Sequence, residues 1–114
     1  MTERIPIVLN EKTKGIIVYA ESKISYEGDW ISLIKGIYQP VPGVGRVMVE
    51  RHISYSTSTD EFFIDSKKLT PGILGAVEDY DFYIATDAEK KIIKDELKRR
   101  HIRFVKALNK LIPR

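Results

Sequence analysis

The stretch Thr86–Ile112, TDAEKKIIKDELKRRHIRFVKALNKLI, decides how the chain is read. Thr86-Asp87-Ala88-Glu89 has the form of a capping box: the Thr hydroxyl accepts from the third helical amide, and the Glu carboxylate reaches back to the Thr amide. No Gly or Pro follows before Pro113, and Glu, Lys, Leu, Arg and Ala dominate, residues that lose little freedom on entering a helix. The spacing predicts one long amphipathic helix over residues 87–112, closing a body over residues 1–86 that is mainly β.

On a helical wheel Leu97, Phe104, Leu108 and Leu111 cluster around Ile93 as a buried stripe. Arg100 sits at the centre of that stripe and Ile102 on the opposite, polar side, so both fit a simple lid poorly. The seam Ile93, Leu97, Arg100, Phe104, Ala107, Leu111 also keeps the four-three alternation of a helix that pairs with another helix. Ile93, Leu97, Arg100, Ile102, Phe104, Leu108 and Leu111 are therefore the expected surface of a homo-oligomer, in the simplest case a dimer. Packing of the same stripe on a sheet is the competing reading.

The polar side has its own order. Arg99, Arg103, Lys106 and Lys110 fall on one side of such a helix as a ridge spanning roughly 16 Å at 1.5 Å rise per residue, with Lys91, Lys94 and Lys98 on the other flank. From Asp87 to Arg114 there are ten Lys and Arg against four Asp and Glu, giving +6, whereas the other 86 residues carry nine against twelve, giving −3; the sum is the net +3 of the chain. Segregation of this kind suits a polyanion, since each phosphate contact releases counterions. A merely solvated helix face is the plain alternative.

Working outward, Tyr80, Phe82 and Ile84 alternate with Asp79, Asp81 and Tyr83 as a strand leading into the helix, preceded by Thr70-Pro71 as the start of a helical turn over residues 72–77. Val47, Val49, Ile53 and Tyr55 alternate along a long strand, apart from Arg51 on the apolar side, and Phe62 and Ile64 lie on a short strand that pairs back across the polar turn 56–60. Trp30, Ile31, Leu33, Ile34, Ile37 and Tyr38 recur at three- and four-residue spacings behind Asp29, a good N-cap, and predict a short helix, with a strand as the alternative. Ile5–Leu9 and Ile16–Ala20 read as a first hairpin whose second strand can run on to Tyr26 before Gly28. The expected fold is α+β: about five antiparallel strands in one sheet, a short helix after strand 2, and the long basic C-terminal helix, in a single domain.

Composition narrows the function. There is no Cys, which excludes disulfides, thiolate metal sites and thiol nucleophiles. No apolar run is long enough for a membrane span and the first residues lack a secretion signal, so no membrane partner and a cytoplasmic location are expected. Gln39 is the only Gln and Asn10 and Asn109 the only Asn, a scarcity that suits a thermophile.

Other candidates are weaker. Gly43-Val44-Gly45-Arg46 lacks the Lys-Ser/Thr ending of a phosphate loop. Glu78, Asp79 and Asp81 would suit a metal-dependent nuclease, but alternation lets only Asp79 and Asp81 share a face. His52 and His101 belong to no triad pattern and read as structural or surface histidines. Phe63 and Tyr83 point away from the main apolar face and are the aromatics available for stacking.

The expected function is therefore that of a small non-catalytic nucleic-acid-binding protein, single-stranded DNA or RNA slightly favoured. Arg99, Arg103, Lys106, Lys110, Arg46 and Arg51 would meet phosphates and Phe63 and Tyr83 would stack on bases, with no cofactor and no metal. The alternative is an interaction module that associates with itself through its C-terminal helix, and a metal-dependent nuclease comes third.

Overall fold

The computed structural model describes residues 3–24 and 27–114, and shows a mostly antiparallel sheet with a single α-helix, broadly α+β. The strands are β1 (Ile17–Ser22), β2 (Trp30–Tyr38), β3 (Met48–Ser56), β4 (Glu61–Phe63), β5 (Gly72–Ala76) and β6 (Tyr80–Ile84). They are followed by α1 (Asp87–Arg99) and by a separate hairpin of β7 (Ile102–Val105) and β8 (Lys110–Pro113). The main sheet runs β6-β1-β2-β3, and β4 and β5 share the far side of β3: β4 pairs with Ser54–Ser56 and β5 with Met48–Arg51.

The helix starts where the capping box predicts. The Thr86 hydroxyl accepts from the Glu89 amide at 3.2 Å, and the Glu89 carboxylate accepts from the Thr86 amide at 2.9 Å. It does not run to residue 112. Arg100 is its C-cap, and His101 takes a left-handed conformation (φ 57°) that turns the chain back, after which residues 102–113 form the β7–β8 hairpin. Alternation explains the change: Ile102, Phe104 and Leu111 all reach the cluster beneath α1, which a continued helix would have carried off the sheet. The helix itself carries Lys90, Lys91, Lys94, Lys98 and Arg99 against Asp87, Glu89, Asp95 and Glu96, five minus four, so its own net charge is only +1.

The expected helix at residues 30–38 is strand β2. Its helix-like spacing has two causes. Both faces of β2 are covered, Ile31 and Leu33 packing on the α1 side and Ile34 and Ile37 on the other, so apolar residues occur without alternation. An irregularity in register around Ile34–Gly36 adds one residue, so Ile34 and Ile37 share a face at a spacing of three instead of two. The expected helical turn at residues 72–77 is β5 followed by a 3-10 turn at Val77–Asp79.

The first expected hairpin is also rearranged. Ile5–Leu9 runs beside β6, with the Ile7 amide donating to the Phe82 carbonyl at 3.0 Å and the Ile84 amide to the Ile5 carbonyl at 2.8 Å. A 3-10 turn at Glu11–Thr13, capped by Asn10, then leads into β1. β1 ends at Ser22 and the chain bends at residues 23 and 24, so the strand does not run on as expected; residues 25 and 26 lie outside the described residues. The β3–β4 hairpin forms, but β3 does not keep the single apolar face expected of it: a register shift between Arg51 and Ile53 puts Val49 in the cluster away from α1 and Ile53 and Tyr55 in the one beneath it.

Two apolar clusters result, one on each face of the sheet. Leu9, Val18, Ala20, Ile34, Val49, Tyr80 and Phe82 make up the face away from the helix. Ile31, Leu33 and Ile53 form the other with Ile93 and Leu97 of α1 and Ile102 and Leu111 of the hairpin. α1 and the hairpin thus lie side by side as a second layer over β1, β2 and β3, and a cleft opens between them.

Candidate functional site

Between α1 and the hairpin a cleft of about 690 Å³ opens above β1 and β2. Its walls carry Lys90, Lys91, Lys94 and Lys98 from α1 and Arg103 and Arg114 from the hairpin side, against Asp87 and Asp95; six cations minus two carboxylates leave +4. Its floor is apolar, with Ile17, Leu33, Ile93, Leu97, Ile102 and Phe104. Lys90, Lys94 and Lys98 recur every four residues, so they stand along one row of α1 about 6 Å apart. Lys91 and Asp95 pair at 2.5 Å on the exposed surface, a contact worth little in water.

Tertiary contacts fix the hairpin side. Gly15 (φ 79°) lies under Phe104, and a β-carbon there would come within 3.1 Å of the ring, so only glycine meets both the backbone and the spatial demand. Phe104 also meets His52, with ring centroids 5.2 Å apart. His52 is 1% exposed; its Nε2 lies 2.9 Å from Oδ1 of Asn109, whose amide nitrogen donates to the Lys35 carbonyl at 2.8 Å. Asn109 itself is left-handed (φ 48°) and closes the turn between β7 and β8. Burial holds His52 below the ordinary histidine range, which keeps it neutral.

The residues expected to form a basic ridge are dispersed. Arg99 ends α1, Arg103 is on β7, Lys106 is in the 3-10 turn Lys106–Leu108, and Lys110 opens β8. Arg99 grips Glu96 through two hydrogen bonds of 2.8 and 2.7 Å, and Arg100 adds a third at 2.7 Å. These bonds, Arg99's first, pull the buried Glu96 carboxyl down to about 2, and the single carboxylate offsets one of the two guanidinium charges. Of the four ridge residues Arg103 lines the cleft.

Arg46 and Arg51 lie away from the cleft. Arg46 binds Glu78 at 2.5 Å and Asp79 at 2.6 Å, which ties up two of the three carboxylates considered for a metal, while Asp81 faces Lys23 at 3.7 Å. Arg51 is partly buried, its guanidinium lying over Gly72 where a β-carbon would come within 2.8 Å of it. Among the described residues no group of three or more His, Asp or Glu converges as a metal site would require.

Phe63 and Tyr83 do not form a stacking pair. Phe63 packs edge-on against Trp30 on the face away from α1, at a centroid distance of 5.3 Å, whereas Tyr83 pairs with Tyr19 on β1, on the helix face. They stand at opposite ends of the sheet, on β4 and β6.

The expected oligomer seam is taken up by the chain's own core. Ile93, Leu97, Ile102 and Leu111 are buried and Phe104 is partly so, Arg100 is held by Glu96, and Leu108 alone of the set stands out at 66% exposure. The misfit of Arg100 and Ile102 on the wheel has a simple origin, since Arg100 is the C-cap and Ile102 belongs to the next strand.

Lys91, Lys94 and Lys98 were legible as one flank of the helix. Arg114, Ile17 and Leu33 join them only through tertiary contact, whereas Lys90 stands in one helical row with Lys94 and Lys98, the one local signal that could have located the cleft. No described helix is long and apolar enough to cross a membrane. Comparison with protein-family models, curated proteins and solved structures finds no match to this chain. The functional reading therefore stands on geometry and charge.

Proposed function

We propose that this chain is a small non-catalytic nucleic-acid-binding protein that favours single-stranded DNA or RNA and holds its phosphates along the cleft between α1 and the β7–β8 hairpin. The observation that carries this is the convergence of Lys90, Lys94, Lys98, Arg103 and Arg114 from two elements on one groove with an apolar floor. A face that was merely solvated would gain nothing from lining a groove with cations on both sides. Low-dielectric walls focus the field of such charges and raise the local concentration of an anionic partner.

Fluorescence polarisation of a labelled single strand over a salt series tests this. Three to five phosphate contacts at about −0.7 each predict a slope of log K against log salt near −2 to −3.5. Replacing Lys94, Lys98, Arg103 and Arg114 together by Gln should abolish binding with little change in melting temperature. Replacing Arg99, Lys106 and Lys110 should weaken it only slightly. Absence of binding even at low salt would refute the proposal.

A second reading, a module that associates with itself, has a specific feature in its favour. Tyr38, Val41, Val44, Val47 and Ile73 are exposed around the loop between β2 and β3, a concentration of apolar surface unlike the scattered residues of a typical surface. Light scattering distinguishes it: a monomer at high micromolar concentration rejects this reading and leaves the first untouched.

A further inference from the structure

We propose that the cleft takes an unpaired nucleobase, so that the ligand is single-stranded and is held by base burial as well as by its phosphates. The inference rests on the nucleic-acid reading above and narrows it to one mode of contact. A cleft of about 690 Å³ is of the size that encloses a small flat molecule. It is far too small for a duplex.

Its chemistry fits a base better than any other anionic partner. Ile17 and Phe104 are only partly buried and present apolar surface to the cleft. Gly15 abuts the Cζ–Cε2 edge of the Phe104 ring and His52 packs against it at a tilt, so the ring's position is fixed while its remaining surface lines the cleft. Base stacking on such a ring is tolerant of sequence and strengthens binding on the order of tenfold or more. Cations flank the floor from α1 on one side and from Arg103 and Arg114 on the other. A base that enters the cleft therefore leaves the phosphates before and after it beside opposite walls. A paired base presents no free face and cannot do this, and a purely acidic chain such as polyglutamate satisfies the walls but leaves the floor unfilled.

The test uses the full chain and a short deoxythymidine strand carrying 2-aminopurine, with its duplex, inorganic polyphosphate and polyglutamate as competitors. The expected result is protection of the 2-aminopurine from acrylamide quenching on binding. The single strand should also compete on the order of tenfold better than the duplex, the polyphosphate or the polyglutamate. A strand of the same length with abasic sites should lose that advantage while its salt slope stays the same, which checks the floor without altering the protein. Ile17→Trp, which fills the floor, should abolish protection and leave the salt dependence in place. Salt-dependent binding with the base still open to quencher overturns base insertion and leaves phosphate binding standing. Polyphosphate or polyglutamate competing as well as the single strand overturns it too, and failure of every oligonucleotide to bind overturns the nucleic-acid reading itself.

Discussion

His52 fastens the sheet to the hairpin through one defined tautomer. Because the Asn109 amide nitrogen donates to the Lys35 carbonyl, its oxygen is left to accept, and the His52 Nε2 must carry the proton. Nδ1 is then a buried acceptor without a partner among the described residues. Protonating it would place a charge in the interior, and burial accordingly depresses its pKa, the Asn109 bond and Glu50 opposing and Lys35 reinforcing the effect. The unfolded chain, with histidine near 6.5, thus binds more protons than the native state between that value and the lower native one. The His52 contribution should be constant above about pH 6.5, and stability should fall as the pH drops below that value, which urea midpoints measured on either side of it will show. Glu96 acts in a lower window: with its pKa depressed to about 2, its contribution is present above the ordinary glutamate value and disappears as the pH falls toward the native one. His52→Gln should flatten the loss in the upper window while keeping a donor for Asn109. A loss of equal steepness in the variant would assign the acid sensitivity elsewhere.

At the scale of elements the decisive event is the end of α1. His101 holds a left-handed backbone that costs an L-residue roughly 1–2 kcal/mol, part of which glycine returns through its freedom in the unfolded chain. His101→Gly should therefore raise stability by about 0.5–1 kcal/mol, a few degrees in thermal melting. An unchanged or lower midpoint would mean that the exposed imidazole does more than occupy the turn. The start of this helix was legible because the Thr86 and Glu89 contacts are local. Its end was not, because residues 100–112 have adequate helix propensity, and what turns them into a hairpin is the burial of Ile102, Phe104 and Leu111 on strands distant in sequence. Strand β2 misled in the opposite way, its two covered faces and irregular register imitating a helical period. Arg100 and Ile102 were the local evidence of the break, since a charge in an apolar stripe and an isoleucine opposite it are what a helix continued past its true end produces. The cleft was legible in half: Lys94 and Lys98 follow from helix spacing, while Arg114 and the floor residues Ile17 and Leu33 meet them only once the hairpin folds back.

Over the whole molecule, the segregation of charge along the sequence becomes a segregation by layer. The basic segment is α1 with the hairpin, and the acid-leaning remainder contains all six strands of the sheet beneath. The layers cannot be independent, because β2 and β3 contribute to both apolar clusters: Ile34 and Val49 face away from the helix, Leu33 and Ile53 toward it. Truncating a buried side chain on either face should therefore weaken the same cooperative unit. Ile34→Ala and Ile53→Ala, each at a fully buried position, should each cost about 2–5 kcal/mol in urea unfolding. Two probes separate the faces, since Trp30 packs against the cluster away from α1, whereas far-UV circular dichroism is dominated by α1 on the other side. In the parent chain and both variants the two midpoints should coincide, as expected when a single sheet serves two cores. If Ile53→Ala instead releases the helix signal at lower urea than the Trp30 signal, α1 and the hairpin are a separable layer. The cleft they enclose could then open without disturbing the sheet.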